Sequence, residues 1–256
     1  MQTLREKLGA GRTIVGAMMT WLTEEALLPV LQKAGYDFVI IDCEHGAYSF
    51  EQLANLCRLG RAIGFPVMVR CHRSFETIRR HMDQGPVGLL SPVFEKPEDL
   101  NILRDAMFLP PVGRRGPGAA GRECVQAMNR SDWAAFEREL IILPQIESRA
   151  GIEALPKLLE PDWVTGAFMG PYDLMMDLGL TTAEAAKPGS ALHAAVHRVI
   201  AICREAGKPA GMHTLDGDEA AYWIKAGCRI IICAQVINMV ALQAKKNMET
   251  IRAVTG

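Results

Sequence analysis

Apolar and polar positions alternate along the chain on two length scales. Short β-branched or apolar runs are each followed by a longer segment in which apolar residues recur with helical spacing. The runs are TIVGAMMT, DFVIIDCE, PVMVRCH, VGLLSPVF, IILPQIES, WVTGAFMGP, PAGMHT and RIIICAQ. Between them lie segments such as TEEALLPVLQKAG, SFEQLANLCRLGRAIG and SALHAAVHRVIAICREAG. The first of these segments opens with a Thr-x-x-Glu/Ala cap signal. Four segments end in glycine just before the next run, at Gly35, Gly64, Gly85 and Gly227, as helix C-termini do.

The runs are nearly continuous in apolar residues, which fits parallel strands covered on both faces. Eight strand-then-helix units in about 250 residues match the size and rhythm of an α/β TIM (β/α)8 barrel. A doubly wound sheet competes, but no G-x-G-x-x-G follows the first strand. No linker divides the chain, so residues 1–256 read as one barrel domain. Gly113 to Gly121 lacks the Lys-Ser/Thr of a phosphate-binding loop and is expected to form a mobile loop over the site.

Composition narrows the function classes. Of 256 residues, 49% are hydrophobic, enough for a large core, and the formal net charge is -1. No basic cluster points to nucleic acid or a membrane surface. No apolar run approaches the roughly 18 residues of a membrane span, and the charged start MQTLREKLGAGR has no signal-peptide core. Seven scattered cysteines without a C-x-x-C pair suit reduced thiols, so a cytoplasmic location is expected.

In such barrels chemistry gathers at the C-terminal ends of the strands. The second run stops in Asp42, Glu44 and His45, the third in Arg70 and His72, and the fifth in Gln145, Glu147 and Ser148. The sixth leads into Gly170, Pro171, Tyr172 and Asp173, the seventh ends in His213 and the eighth in Gln235. Carboxylates sharing a pocket repel unless a cation neutralises them. Glu147 and Asp173 come from neighbouring strands, so both reach one point. Two hard oxygen ligands suit Mg²⁺ or Mn²⁺, with water or substrate filling the remaining positions. No lysine lies within a strand, which argues against Schiff-base chemistry. His193 and His197 are spaced i, i+4 on an outer helix and read as solvated or packing residues.

The pieces IDCEHG, VMVRCH, MDQGPVGLLSP, GRRGPG, PQIES and FMGPYDL, in this order over nearly the whole chain, resemble the HpcH/HpaI class II aldolases. The resemblance implies a metal-dependent carbon–carbon lyase acting on a 2-oxo acid such as pyruvate and an aldehyde. It implies that Glu147 and Asp173 hold a divalent ion (Mg²⁺, Mn²⁺ or Co²⁺), that His45 transfers a proton, and that Arg70 stabilises enolate charge. Gln145, Gly170, Pro171, Tyr172 and Asp173 would contact substrate, and Asp83 would tune the histidine. Asp83 precedes the fourth strand, on the face opposite the site, so it is expected to serve His45 of a neighbouring subunit. Asp42 and Glu44 are expected at the rim, supporting His45 or a metal-bound water, with Glu44 equally an ion-pair member.

A homo-oligomer is expected, a hexamer by the resemblance. Core packing is expected to account for the apolar stripe of the last helix. Leu174-Met175 and Ala234-Gln235 depart from the family pattern and leave the acceptor open. Another lyase or decarboxylase on a 2-oxo acid, or a non-catalytic binding relative, is the alternative.

Overall fold

The structure is a computed structural model that describes residues 2–116 and 130–255. Eight parallel strands close into a barrel in sequence order. They are β1 (Ile14–Met19), β2 (Phe38–Asp42), β3 (Val67–Arg70), β4 (Gly88–Ser91), β5 (Ile141–Ile146), β6 (Ala167–Met169), β7 (Ala210–Thr214) and β8 (Ile230–Gln235). β8 pairs with β1 to complete the ring, with a register shift between Gly16 and Met18. The expected TIM barrel is therefore present.

Strand alternation sorts side chains into two cores. Ile40, Met68, Leu90, Leu143, Phe168 and Ile232 fill the interior, and Val39, Ile41, Val69, Leu89 and Ile142 face the helices. A filled interior leaves the strand ends as the place where a ligand can enter.

The helices are α1 (Leu4–Gly9), α2 (Leu27–Lys33), α3 (Phe50–Ile63), α4 (Phe75–Met82), α5 (Leu100–Met107), α6 (Arg130–Glu139), α7 (Arg149–Leu158), α8 (Pro171–Asp177), α9 (Thr182–Ala185), α10 (Ala191–Glu205), α11 (Gly217–Ala226) and α12 (Val236–Thr255). All four predicted terminal glycines adopt positive φ, where a side chain would be strained.

Several elements differ from the expectation. α2 begins at Leu27 after an uncapped Ala26, so the Thr23 signal caps nothing. α1 and α9 were not anticipated, although Thr3/Glu6 and Thr181/Glu184 are capping boxes. α1 buries Leu4 in the inner core.

Core packing does not explain the last helix: in α12 only Val236 is buried, and Val240, Leu242, Met248, Ile251 and Val254 are exposed. The loop expected over the site, Gly113 to Gly121, is described only as far as Gly116. Its described start turns back on the end of α5, where Arg114 N donates to Asp105 O and Arg115 N to Phe108 O. That end lies opposite the strand C-termini, and residues 117–129 of the loop lie outside the described residues. Among the described residues no helix is long and apolar enough to cross a membrane.

Candidate active site

β2 and β3 pair with Asp42 opposite Arg70. Both side chains thus emerge side by side at the mouth. The guanidinium grips the carboxylate in a two-point pairing, Nε to Oδ1 at 2.9 Å and Nη2 to Oδ2 at 2.7 Å. The carboxylate is fully buried. It also accepts the N–H groups of Glu44 (3.2 Å) and His45 (3.4 Å) and the Thr20 hydroxyl (3.3 Å). Burial alone would raise the Asp42 pKa, but Arg70 and the two N–H groups outweigh it and hold the carboxyl below its ordinary value. Asp42 is therefore an anchor for Arg70 and for the turn that carries His45.

Glu44 lies 3.4 Å from Arg70 Nε, and its Oε2 lies 3.9 Å from His45 Nε2. Burial raises its pKa, and Asp42 and Asp173 add to the rise against the pull of Arg70 and His45. The His45 side chain is 64% exposed and open to solvent at the rim. Gly46 lets the chain turn tightly here: a Cβ would stand 2.1 Å from Asp42 O and 2.3 Å from Thr20 O.

Across the mouth, Gln145 Nε2 donates to Glu147 Oε2, while Glu147 Oε1 accepts the Val93 N–H at 2.7 Å. Val93 supplies that N–H from φ 59°, a strained conformation for a β-branched residue. Burial pushes the Glu147 pKa up, and the Asp173 charge pushes it further. Asp173 stands in the first turn of α8, directly after Gly170. A Cβ on Gly170 would stand 2.6 Å from Gln145 Nε2 and 2.7 Å from Glu147 Oε2. Only glycine lets β6 pass this close to the Glu147 carboxylate.

Some of these groups line a cavity of about 460 Å³. His45, Arg70, Gln145, Gly170, Tyr172 and Asp173 line it. Pro171 lines it as well, and Tyr172 is exposed. Among the described residues no group of three His, Cys, Asp or Glu side chains converges on one point. Glu147, half-buried, and Asp173, exposed, are hard oxygen donors whose charges repel; such a pair fits a divalent cation that keeps water or substrate in its other positions.

Asp83 does not join this cluster in its own chain. It caps the end of α4 on the opposite face, pairing with Arg115 at 3.1 Å and Arg79 at 3.5 Å. His72 is exposed. His81 packs against Phe50 with Nδ1 2.7 Å from Thr77 O. His193 meets the Trp223 ring edge-on at 5.3 Å, and the exposed His197 meets it tilted at 5.4 Å.

A family model for the HpcH/HpaI aldolase/citrate lyase matches residues 18–231. The chain belongs to the HpcH/HpaI aldolase/citrate lyase family. The hydroxypyruvate/pyruvate aldolase of Roseovarius nubinhibens is 32% identical, over 91% of this chain and 93% of that relative. The 2-keto-3-deoxy-L-rhamnonate aldolase of Salmonella dublin is 30% identical, over 89% and 84%. The crystal structure of an HpcH/HpaI aldolase from Desulfitobacterium hafniense superimposes with a TM-score of 0.90 at 25% identity, covering 98% of this chain and 97% of that one. This HpcH/HpaI protein is accordingly an aldolase-type carbon–carbon lyase.

No sequence motif marks Thr20, Val93 or Trp21, which lines the mouth cavity. Thr20 and Trp21 directly follow a strand, a place where rim residues are expected. Val93 contributes only a backbone N–H at an unusual φ, which no side-chain pattern announces.

Proposed function

We propose that this HpcH/HpaI protein cleaves and forms 4-hydroxy-2-oxo acids, with pyruvate as donor and an aldehyde as acceptor. The observation that carries the reading is the half-buried Glu147 carboxylate, its pKa raised by burial and by the charge of Asp173, at the mouth of a barrel in this family. Glu147 and Asp173 would hold the divalent ion, Mg²⁺, Mn²⁺ or Co²⁺. When bound, the ion would polarise the 2-oxo group and favour the enolate.

The chain's own groups do the rest. Gln145 and the backbone near Gly170, Pro171 and Tyr172 orient the 2-oxo acid. His45 takes the 4-hydroxyl proton through a water. The C3–C4 bond then breaks: its electron pair passes into the enolate, and the aldehyde leaves. Arg70, held rigid by Asp42, faces the developing negative charge. A proton returned to C3 completes pyruvate. Glu44 sits between Arg70 and His45 and orients the imidazole.

Asp83 cannot act on its own chain's mouth, so its role in tuning His45 calls for a second copy. The apolar face of α12, left uncovered by its own barrel, supports a homo-oligomer; the hexamer follows from the family alone. Pyruvate release from 4-hydroxy-2-oxo acids, followed with added Mg²⁺ and with excess EDTA, tests the reading. Release only with metal is expected, and full activity in EDTA would overturn it.

A further inference from the structure

A second cavity opens beside the mouth. It measures about 350 Å³ and lies among α8, α9, α10 and the connection from β7 to α11. Pro171, Tyr172, His213 and Leu215 line both cavities, so the two are contiguous. Met175, Ala185, Leu192, Met212 and Trp223 make its walls apolar. Its volume is within the range of small-molecule sites.

The polar groups around it are selective. Asp216 and Glu219 are its carboxylates, and no lysine or arginine is among the described residues that line it. Both carboxylates are held in place, Asp216 Oδ1 accepting Glu219 N at 2.9 Å and Glu219 Oε2 accepting Leu215 N at 2.7 Å. An anionic ligand tail would meet the repulsion of both carboxylates and find, among the described residues, no lysine or arginine, only the side chains of Thr182, Tyr172, His193 and His213, as a polar partner.

His213 stands at the junction of the two cavities. Its Nε2 is buried and has no hydrogen-bond partner among the described residues. Burial lowers its pKa to about 4, with Arg70 adding to the effect, so the ring is neutral at pH 7. A buried polar atom without a partner is costly and uncommon, which marks Nε2 as a place for a ligand atom. A neutral imidazole nitrogen either donates or accepts, and a hydroxyl answers both.

We propose that the side cavity is the acceptor pocket. It takes an uncharged aldehyde with an apolar tail and a hydroxyl that hydrogen-bonds to His213 Nε2. The inference rests on the aldol reading above. The reacting carbonyl meets the enolate in the mouth, the hydroxyl passes His213, and the tail enters between Met175 and Trp223. Met175, one of the departures from the family pattern, thereby becomes a wall of the pocket.

The test begins with the wild type and donor alone: exchange of the pyruvate methyl hydrogens in D₂O with Mg²⁺, read by NMR. Absence of exchange overturns the aldol reading and the pocket assignment with it. Given exchange, pyruvate addition is measured with three acceptors: 2-hydroxy-3-phenylpropanal, 3-phenylpropanal and an aldehyde of similar length ending in a carboxylate.

The hydroxylated acceptor should lead the other two in kcat/KM by about tenfold or more. His213→Leu should bring its lead over 3-phenylpropanal close to one, and His213→Gln, which keeps a hydrogen-bonding group, should retain part of it. Ala186→Phe, which fills the cavity, should lower kcat/KM for the phenyl acceptors relative to glycolaldehyde by about tenfold. Because each readout is a ratio between acceptors, a general loss of active enzyme does not move it. Exchange with no preference among the acceptors, or a preference that survives both His213→Leu and Ala186→Phe, overturns the pocket while the aldol reading stands.

Discussion

Arg70→Ala separates the structural and chemical jobs of the strand-end arginine. The substitution takes the cation away from a carboxylate that is fully buried, with the Arg70 side chain itself only 12% exposed. Two charge-assisted bonds at 2.9 and 2.7 Å disappear. The contacts left to Asp42 are long ones, at 3.2, 3.3 and 3.4 Å. Orphaning a buried charge costs about 3–5 kcal/mol. Three surviving donors place this case at the lower end, at about 3 kcal/mol.

Asp42→Asn added to Arg70→Ala removes the orphaned charge. It should recover about 2 kcal/mol relative to Arg70→Ala, so the coupling energy is about 2 kcal/mol plus the cost of Asp42→Asn alone. Urea unfolding of the wild type, both single variants and the double variant at pH 7 measures it. The sign of the pH dependence follows from the depressed Asp42 pKa. In the wild type the pair's stabilisation is fully present above the unfolded carboxyl pKa of about 3.9 and is lost as pH falls through the lower folded value. In Arg70→Ala burial acts unopposed by Arg70 and the carboxyl protonates earlier. The stability gap to the wild type should therefore narrow as pH falls from 7. A loss under about 1 kcal/mol for Arg70→Ala, or strictly additive effects, would refute the claim that Asp42 is a buried counterion held by Arg70.

Other outcomes follow from the same geometry. Gly170→Ala should weaken Mg²⁺ binding at least tenfold by isothermal titration, because its Cβ would stand 2.7 Å from Glu147 Oε2; unchanged affinity would argue against Glu147 as a ligand. Gly46→Ala should destabilise by several kcal/mol, roughly 3 or more, since its Cβ meets backbone oxygens at 2.1 and 2.3 Å; a thermal melt within 2 °C of the wild type would contradict that packing. Charge placed on the uncovered stripe, as in Val240→Lys with Ile251→Lys, should reduce the oligomer seen by light scattering. An unchanged mass would show that the stripe is not the contact.

The barrel was legible because its rule is local: each apolar run ends, and each helix stops at a glycine or a polar turn. The rim was legible for the same reason, since Asp42, Arg70 and Glu147 are charged residues at the ends of apolar strands. Their pairing was not. Whether Asp42 serves His45, a water or Arg70 depends on the β2–β3 register, which puts Asp42 beside Arg70. Val93 escaped because a backbone N–H at positive φ leaves no side-chain signature. His213 stood in view at a strand end, but its lack of a partner and the side cavity behind it emerge only when α8, α10 and β7 pack together. The stripe on α12 misled in the other direction. Periodicity reports that a face wants cover, and this face is not covered by its own chain.

In the proposed reaction Glu147 and Asp173 hold the ion that makes pyruvate enolise in this mouth. The most direct measurement is the rate of pyruvate methyl hydrogen exchange in D₂O across a Mg²⁺ or Mn²⁺ titration, for the wild type and Glu147→Gln. Saturable metal-dependent exchange in the wild type, reduced at least a hundredfold in Glu147→Gln, is the predicted result. Exchange at the same rate in both proteins, or exchange indifferent to metal, would contradict it.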